Sequence, residues 1–206
     1  APRHLARADA TSLGLVGAGI QSHTQLEAIA AVRDIQTVVV ADVDEQAIQR
    51  VIDRFGDDYD VQEGTITEAG ACDVVSTTTP VREPIVDSVG PATHVNAMGA
   101  DAEGKQELVD DILLDAKVVI DDHAQCTHSG EINVPYSAGR LGDEDIFAEL
   151  GEIVAGEQPG REPSDGVTVF DSTGLAIQDV AAAHVIYERA REAGCGTAFP
   201  LVGTDT

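Results

Sequence analysis

The chain has 206 residues, with 37 Asp and Glu against 12 Lys and Arg, for a net charge of −25. Such a charge repels nucleic acid and anionic membrane surfaces, so neither is an expected partner, and no apolar run approaches the roughly 20 residues of a membrane span. The acids are spread along a sequence that is 43% hydrophobic, which excludes a disordered acidic segment and leaves room for one large domain, or one with an appendage.

In chain order, the first apolar run, at 13–16, meets Gly17-Ala18-Gly19-Ile20-Gln21-Ser22. Helical spacing follows over 25–32, then a β-branched run at 38–41 ends in Asp42. Helical spacing returns over 45–55 and 107–114, and further strands are predicted at 59–61, 74–77, 94–97, 118–121 and 168–170. A polar, breaker-rich loop runs from Gly156 to Pro163. The last helix, about 177–193, places Ile177, Val180, Ala181, His184 and Val185 within one arc, an apolar side that needs a partner surface. Strands alternating with helices predict an α/β fold, a doubly wound Rossmann-type parallel sheet with helices on both faces.

Residues 13–42 read as the strand, glycine turn, helix, strand and acid of a dinucleotide-binding unit. Gly17 permits a tight turn, and Gly19 lets the backbone approach a pyrophosphate. The small Ser22 stands in the third-glycine place, where helix and strand pack. The helix from Ile20 offers free N–H groups and a positive dipole end to phosphates. Asp42 can accept both hydroxyls of an adenosine ribose. The rival readings are a plain glycine turn with no nucleotide, and a methyltransferase, which also places an acid after its second strand.

Ligands of such sheets bind at the carboxyl ends of strands. One end, Ser76-Thr77-Thr78-Thr79-Pro80, supplies hydroxyls for a nicotinamide, or simply turn chemistry. A second, from Asn96 through Met98 and Gly99 to Lys105, sets Asp101 and Lys105 four apart, close together if Asp101 opens a helical turn. A proton acceptor beside a cation suits oxidation of an amine, because hydride loss gives an iminium that water must attack. The alternative makes Asp101 an N-cap and Lys105 its surface partner. At a third end, Ser172 and Thr173 face cofactor or substrate, or cap the last helix. His123, Cys126 and His128 lie close together, but no second cluster supports a metal site, and solvated or core roles are expected. Cys72, Cys126 and Cys195 are few and far apart, which argues for a reducing compartment. A cytoplasmic location is expected, and dispersed acid with two lysines suits a salt-rich one.

Four ordered segments, GAGIQS, VNAMGADAEGKQEL, HSGEINVP and FDSTGLAIQDVAAA, resemble the ornithine cyclodeaminase and μ-crystallin family, in its branch of archaeal alanine dehydrogenases. The resemblance runs from Leu5 to about Gly196. It implies NAD as cofactor, a small amino-acid or keto-acid substrate, and a homodimer in the full-length enzyme. It makes Asp101 the catalytic proton acceptor, with Lys105 near cofactor and substrate. Gly17, Gly19, Ile20, Gln21 and Asp42 would hold the adenosine and pyrophosphate. Thr77, Thr79, Met98 and Ser172 would lie on the nicotinamide side, with Thr173 toward the substrate. Where cyclodeaminases usually read GGDCPGK this chain reads GADAEGK, which favours the dehydrogenase over a cyclodeaminase; a cyclodeaminase or ketimine reductase is the enzymatic alternative. From another class, the resemblance also allows a nucleotide-dependent μ-crystallin-like binder, or an inactive remnant. Residues 1–12 are expected to be a linker from an absent N-terminal substrate domain, 13–176 the NAD-binding domain, and 177–206 a helical segment returning to that substrate domain.

Overall fold

The computed structural model describes residues 1–197 and residue 199. It divides into two units, Ala1–Thr173 and Gly174–Thr206. The first contains, in order, α1 (Pro2–Leu5), β1 (Ser12–Val16), α2 (Ile20–Ala30), β2 (Thr37–Ala41), α3 (Glu45–Phe55), β3 (Asp60–Glu63), α4 (Ile66–Gly70), β4 (Val74–Thr77), β5 (His94–Ala97), α5 (Asp110–Asp115), β6 (Lys117–Ile120), α6 (His123–Ser129), α7 (Asn133–Ser137), a 3₁₀ turn (Asp143–Asp145), β7 (Ile146–Glu149), α8 (Leu150–Ala155) and β8 (Thr168–Asp171). The strands form one parallel sheet in the order β3-β2-β1-β4-β5-β8-β6-β7.

Strand side chains alternate between the faces, and each face has its own core. Val75, Val95, Ala97, Val118, Ile120 and Val169 pack with Ala69 of α4 and with Leu108, Ile112 and Leu113. On the other face, Leu13, Leu15, Val38, Val40 and Val74 meet Leu26 and Ile29 of α2 and Ile48, Val51 and Phe55 of α3. Val119 and Phe170 pack there with Leu5. Burial on both sides explains why the central strands β4, β5 and β8 are buried at every position. Local signals end the helices: Asp44 caps α3 by accepting the N–H of Gln46, and Thr65 with Glu68 forms a capping box on α4.

Two expectations need correction. The helix anticipated from residue 107 begins only at Asp110, because the N–H groups of Glu107 and Leu108 donate to the Glu131 carboxylate and Leu108 bridges to Val86. Strand β7 was not anticipated; it is four residues long, and only Ala148 is buried. The segment before β1 contains α1, buries Leu5, Ala6 and Ala10, and pairs Arg7 with Asp73.

The second unit contains α9 (Ala176–Glu192), in which no residue is buried. Ile177, Val180, Ile186 and Tyr187 are exposed on it. Of the segment anticipated over 177–206, residues 198 and 200–206 lie outside the described residues. Among the described residues no helix is long and apolar enough to cross a membrane.

Candidate active site

The chain leaves β1 toward β2 and β3, then returns at β4 on the other side of β1. This reversal opens a crevice at the carboxyl ends of β1 and β4, the place where doubly wound sheets bind ligands. The Thr78 N–H donates to the Val16 carbonyl at 2.9 Å and ties the two strand ends together. A cleft of about 530 Å³ lies here, lined by Gly17, Gly19, Asp42, Thr65, Thr79 and Ile85 among others.

The glycine turn is built as the sequence implies. Gly17 sits at φ +100°, and a Cβ on it would come within 3.0 Å of the Thr78 hydroxyl. No atom lies within 4 Å of where a Cβ on Gly19 would be, so its backbone is open to an approaching ligand. Ile20 and Gln21 open α2 and are exposed, and the first N–H groups of a helix have no partners within it. Ser22 is buried and donates its hydroxyl to the Gly19 carbonyl. At the end of β2, Asp42 accepts the Ala18 N–H at 2.6 Å through Oδ2 and the Asp44 N–H at 2.9 Å through Oδ1. Its carboxylate is thereby fixed at the cleft. An open glycine backbone, a helix N-terminus and an oriented acid fit the pyrophosphate and ribose of a dinucleotide.

The ends of β4, β5 and β8 are joined by acids that sequence reasoning did not single out. Glu107 is fully buried. Its Oε1 accepts the Thr79 N–H at 2.7 Å and hydroxyl at 2.6 Å; its Oε2 accepts the Thr77 hydroxyl at 2.5 Å and the Gly99 N–H at 3.0 Å. Glu131, also fully buried, accepts the N–H groups of Glu107 and Leu108. Asp171, at the end of β8, accepts those of Glu131 and Ile132. Burial pushes all three carboxyls above their usual range, against the pull of these donors; Asp171 rises to about 7. The sequence signal was their place inside the family-like segments VNAMGADAEGKQEL, HSGEINVP and FDSTGLAIQDVAAA, which hold Glu107, Glu131 and Asp171.

Asp101 and Lys105 do meet, with Lys105 Nζ donating to Asp101 Oδ1 at 2.5 Å. They meet across a turn and not a helix: the Lys105 N–H donates to the Ala102 carbonyl, and Gly104 closes the turn at φ +77°. Asp101 is therefore no helix cap. Thr79 lines the cleft, whereas Thr77 is fully buried with its hydroxyl on Glu107 and does not present it to a ligand. Met98 is half-buried and lines a separate cleft with Gln25, Asn96 and Phe170. Ser172 donates to Asp121 Oδ2 at 2.8 Å, and Thr173 reaches Asp121 Oδ1 at 3.4 Å. Neither caps α9, whose N-cap is Leu175. His123 pairs with Asp143, and the buried Cys126 thiol donates to Asp121. Burial and the neighbouring carboxylates push that thiol up. Among the described residues no group of three or more His, Cys, Asp or Glu is placed to hold a metal ion.

The family model for ornithine cyclodeaminase/mu-crystallin matches residues 1–194. The chain belongs to this family. It is 46% identical over 201 residues to an alanine dehydrogenase of Archaeoglobus fulgidus, covering 96% of this chain and 62% of that protein. It is 37% identical to a Delta(1)-pyrroline-2-carboxylate reductase of Bacillus cereus, covering 95% and 62%. The structure of an archaeal alanine dehydrogenase dimer with bound NAD superposes with a TM-score of 0.94 at 45% identity, over 98% of this chain and 64% of that one. This member of the family thus spans about three fifths of the length of the curated relatives it matches.

Proposed function

We propose that this chain is the cofactor-binding part of an NAD-dependent amino-acid dehydrogenase that converts alanine to pyruvate and ammonia. The observation that carries the reading is the Asp101–Lys105 pair on the loop after β5, joined through Gly99 and Glu107 to Thr79 of the dinucleotide cleft. The 46% identity to an alanine dehydrogenase favours alanine as substrate, and Asp42 favours NAD over NADP, because a 2′-phosphate there would meet like charge. Nearby, Arg50 is 3.5 Å from Asp44, an acid that already engages it.

NAD held by Gly17, Gly19, the first turn of α2 and Asp42 would supply the hydride acceptor for the substrate's α-carbon. The chain's own groups handle the proton. Lys105 holds Asp101 through Oδ1, and Asp101 takes a proton from the water that attacks the substrate iminium carbon. Ammonia then leaves and the carbonyl forms, so that alanine, NAD⁺ and water give pyruvate, NADH, ammonium and a proton. The 37% identity to a pyrroline-carboxylate reductase supports a second reading in which the same groups serve reduction of a cyclic imine. The exposed apolar residues of α9 suit a homodimer contact.

Turnover also needs a cationic clamp for the substrate carboxylate. Lys105 is engaged by Asp101, and Arg82 donates to the Glu103 carbonyl. Residues 1–206 alone are therefore expected to bind NADH without oxidising L-alanine at an enzymatic rate. Absorbance of reduced nicotinamide, followed with L-alanine, L-ornithine and Delta(1)-pyrroline-2-carboxylate as alternatives, tests both points. Ordinary turnover of alanine by the 206 residues would refute the account of substrate binding. Preference for either other compound in a protein that includes the remaining family segment would overturn alanine as substrate.

A further inference from the structure

We propose that Glu107 is the positioning residue of the nicotinamide side: it sets the strand-end segments after β4 and β5 in the register that receives the nicotinamide and presents Asp101. The inference rests on the reading of the cleft as an NAD site and adds to it a residue that touches neither cofactor nor substrate.

Four donors converge on one buried carboxylate, two from Thr79, one from Thr77 and one from Gly99. Thr77 and Thr79 are the end of β4 and the segment just beyond it, and Gly99 opens the loop that carries Asp101 two residues later. No other side chain could occupy the space at Gly99: a Cβ there would lie 2.5 Å from the Glu107 carboxylate and 2.5 Å from the Thr79 carbonyl. Glu107 is itself held from behind. Its N–H is gripped by Glu131, whose own N–H is gripped by Asp171 at the end of β8, two residues before Thr173. Three acids in series thus link the ends of β4, β5 and β8, the strands that flank the reaction side. A buried polar network that is satisfied throughout holds its members in one geometry.

The chemistry of the contact makes glutamate hard to replace. Each carboxylate oxygen accepts one backbone N–H, from Thr79 at Oε1 and from Gly99 at Oε2. Backbone donors cannot turn round. A glutamine in either orientation sets its NH₂ against one of them, so one strand end must move.

Binding of NADH and of ADP-ribose, which lacks the nicotinamide, to the 206-residue protein tests this by calorimetry. The wild type should bind NADH more tightly than ADP-ribose. Glu107→Gln should lose about tenfold or more in NADH affinity, the scale of one charge-assisted hydrogen bond, with ADP-ribose affinity unchanged within about twofold. Thr77→Val removes one donor from beneath without reaching the cleft, and should weaken NADH selectively by a smaller factor; it decides the matter if Glu107→Gln does not fold. Equal loss of both ligands, no loss of either, or a wild type that binds both ligands equally would overturn the positioning role while leaving the NAD site intact. A wild type that binds neither ligand would overturn the NAD reading, and this inference with it.

Discussion

At the carboxyl ends of β1 and β2 the cleft is made of backbone: a glycine at positive φ, an open glycine, the first turn of α2, and one acid fixed by two N–H groups. At the ends of β4, β5 and β8 it is made of side chains: three buried carboxylates, two threonine hydroxyls and an ion-paired loop. Under the proposed function the first half would take a part of the ligand that does not react, for which fixed amides and a helix dipole are enough. The second half would hold reacting groups at reacting distance, which a satisfied polar network can do where a loop alone would drift. The proposed function thus places binding and chemistry in regions held together by different forces, and perturbations should separate them.

The largest separation is expected from Asp101→Asn in a protein with the whole family length. The amide keeps the size and loses the proton acceptor, so turnover should fall by roughly a hundredfold or more, with NADH affinity and melting temperature nearly unchanged. If stability fell while turnover per folded molecule survived, Asp101 would belong to the structure of its loop and not to the chemistry.

Asp42→Ser probes the other half. Removing the charge at the end of β2 should narrow the preference for NADH over NADPH by about tenfold, leaving the effect of Asp101→Asn untouched. Calorimetric titration with both cofactors reads this directly, and an unchanged ratio would remove Asp42 from ribose recognition.

The acidity of the interior offers a third handle. Asp171 ionises near 7 in the fold, against an ordinary 3.8, because burial outweighs the two N–H donors, with Asp121 adding to the rise. A carboxyl raised on folding contributes stability in full below its unfolded value, and that contribution is lost as pH rises through about 7. Glu107 and Glu131 act in the same direction. His94, buried between Thr168 and Asn96 and pulled down by burial to about 3, opposes them: its contribution is present above 6.5 and lost as pH falls toward 3. The melting temperature should therefore fall with pH between 3.8 and about 7, less steeply in Asp171→Asn and more steeply in His94→Gln. A wild-type profile that rises over that window would contradict a network of raised carboxyls.

The smallest effect on the comparison, though not on the molecule, should come from salt. Screening reaches the exposed charges and leaves buried ones nearly untouched, as the Debye length shrinks from roughly 30 Å at 0.01 M to 3 Å at 1 M. With a net charge of −25, the melting temperature should rise by several degrees into molar potassium chloride while the relative affinities for NADH and ADP-ribose stay constant. A flat melting profile would contradict destabilisation by self-repulsion of the surface charge.

The same division explains what the sequence disclosed. Gly17, Gly19, Ser22 and Asp42 belong to one continuous strand-helix-strand segment, so their spacing alone carries the geometry. The apolar runs of β1 and β2 were equally plain, whereas β4, β5 and β8 bury Ser76, Thr77, His94, Asn96, Thr168 and Asp171 among their apolar residues. Glu107 finds Thr77 and Thr79 30 and 28 residues away, and Asp171 reaches Glu131 across 40. No periodicity announces such contacts, and an acid beside apolar residues at 107–114 looked like the start of an amphipathic helix. The Asp101–Lys105 pair was legible as a pair, but its turn was not, because Gly104 adopts a backbone that helical spacing does not encode. Strand β7 escaped because its apolar run, Ile146-Phe147-Ala148, is only three residues long and is bounded by Asp145 and Glu149.

Calorimetric titration of residues 1–206 with NADH, NADPH and ADP-ribose tests the central claim most directly. The account predicts saturable binding of NADH at one site per chain, weaker binding of NADPH, and competition between NADH and ADP-ribose. Binding of NADPH as tight as that of NADH, or no binding of any of the three, would contradict it.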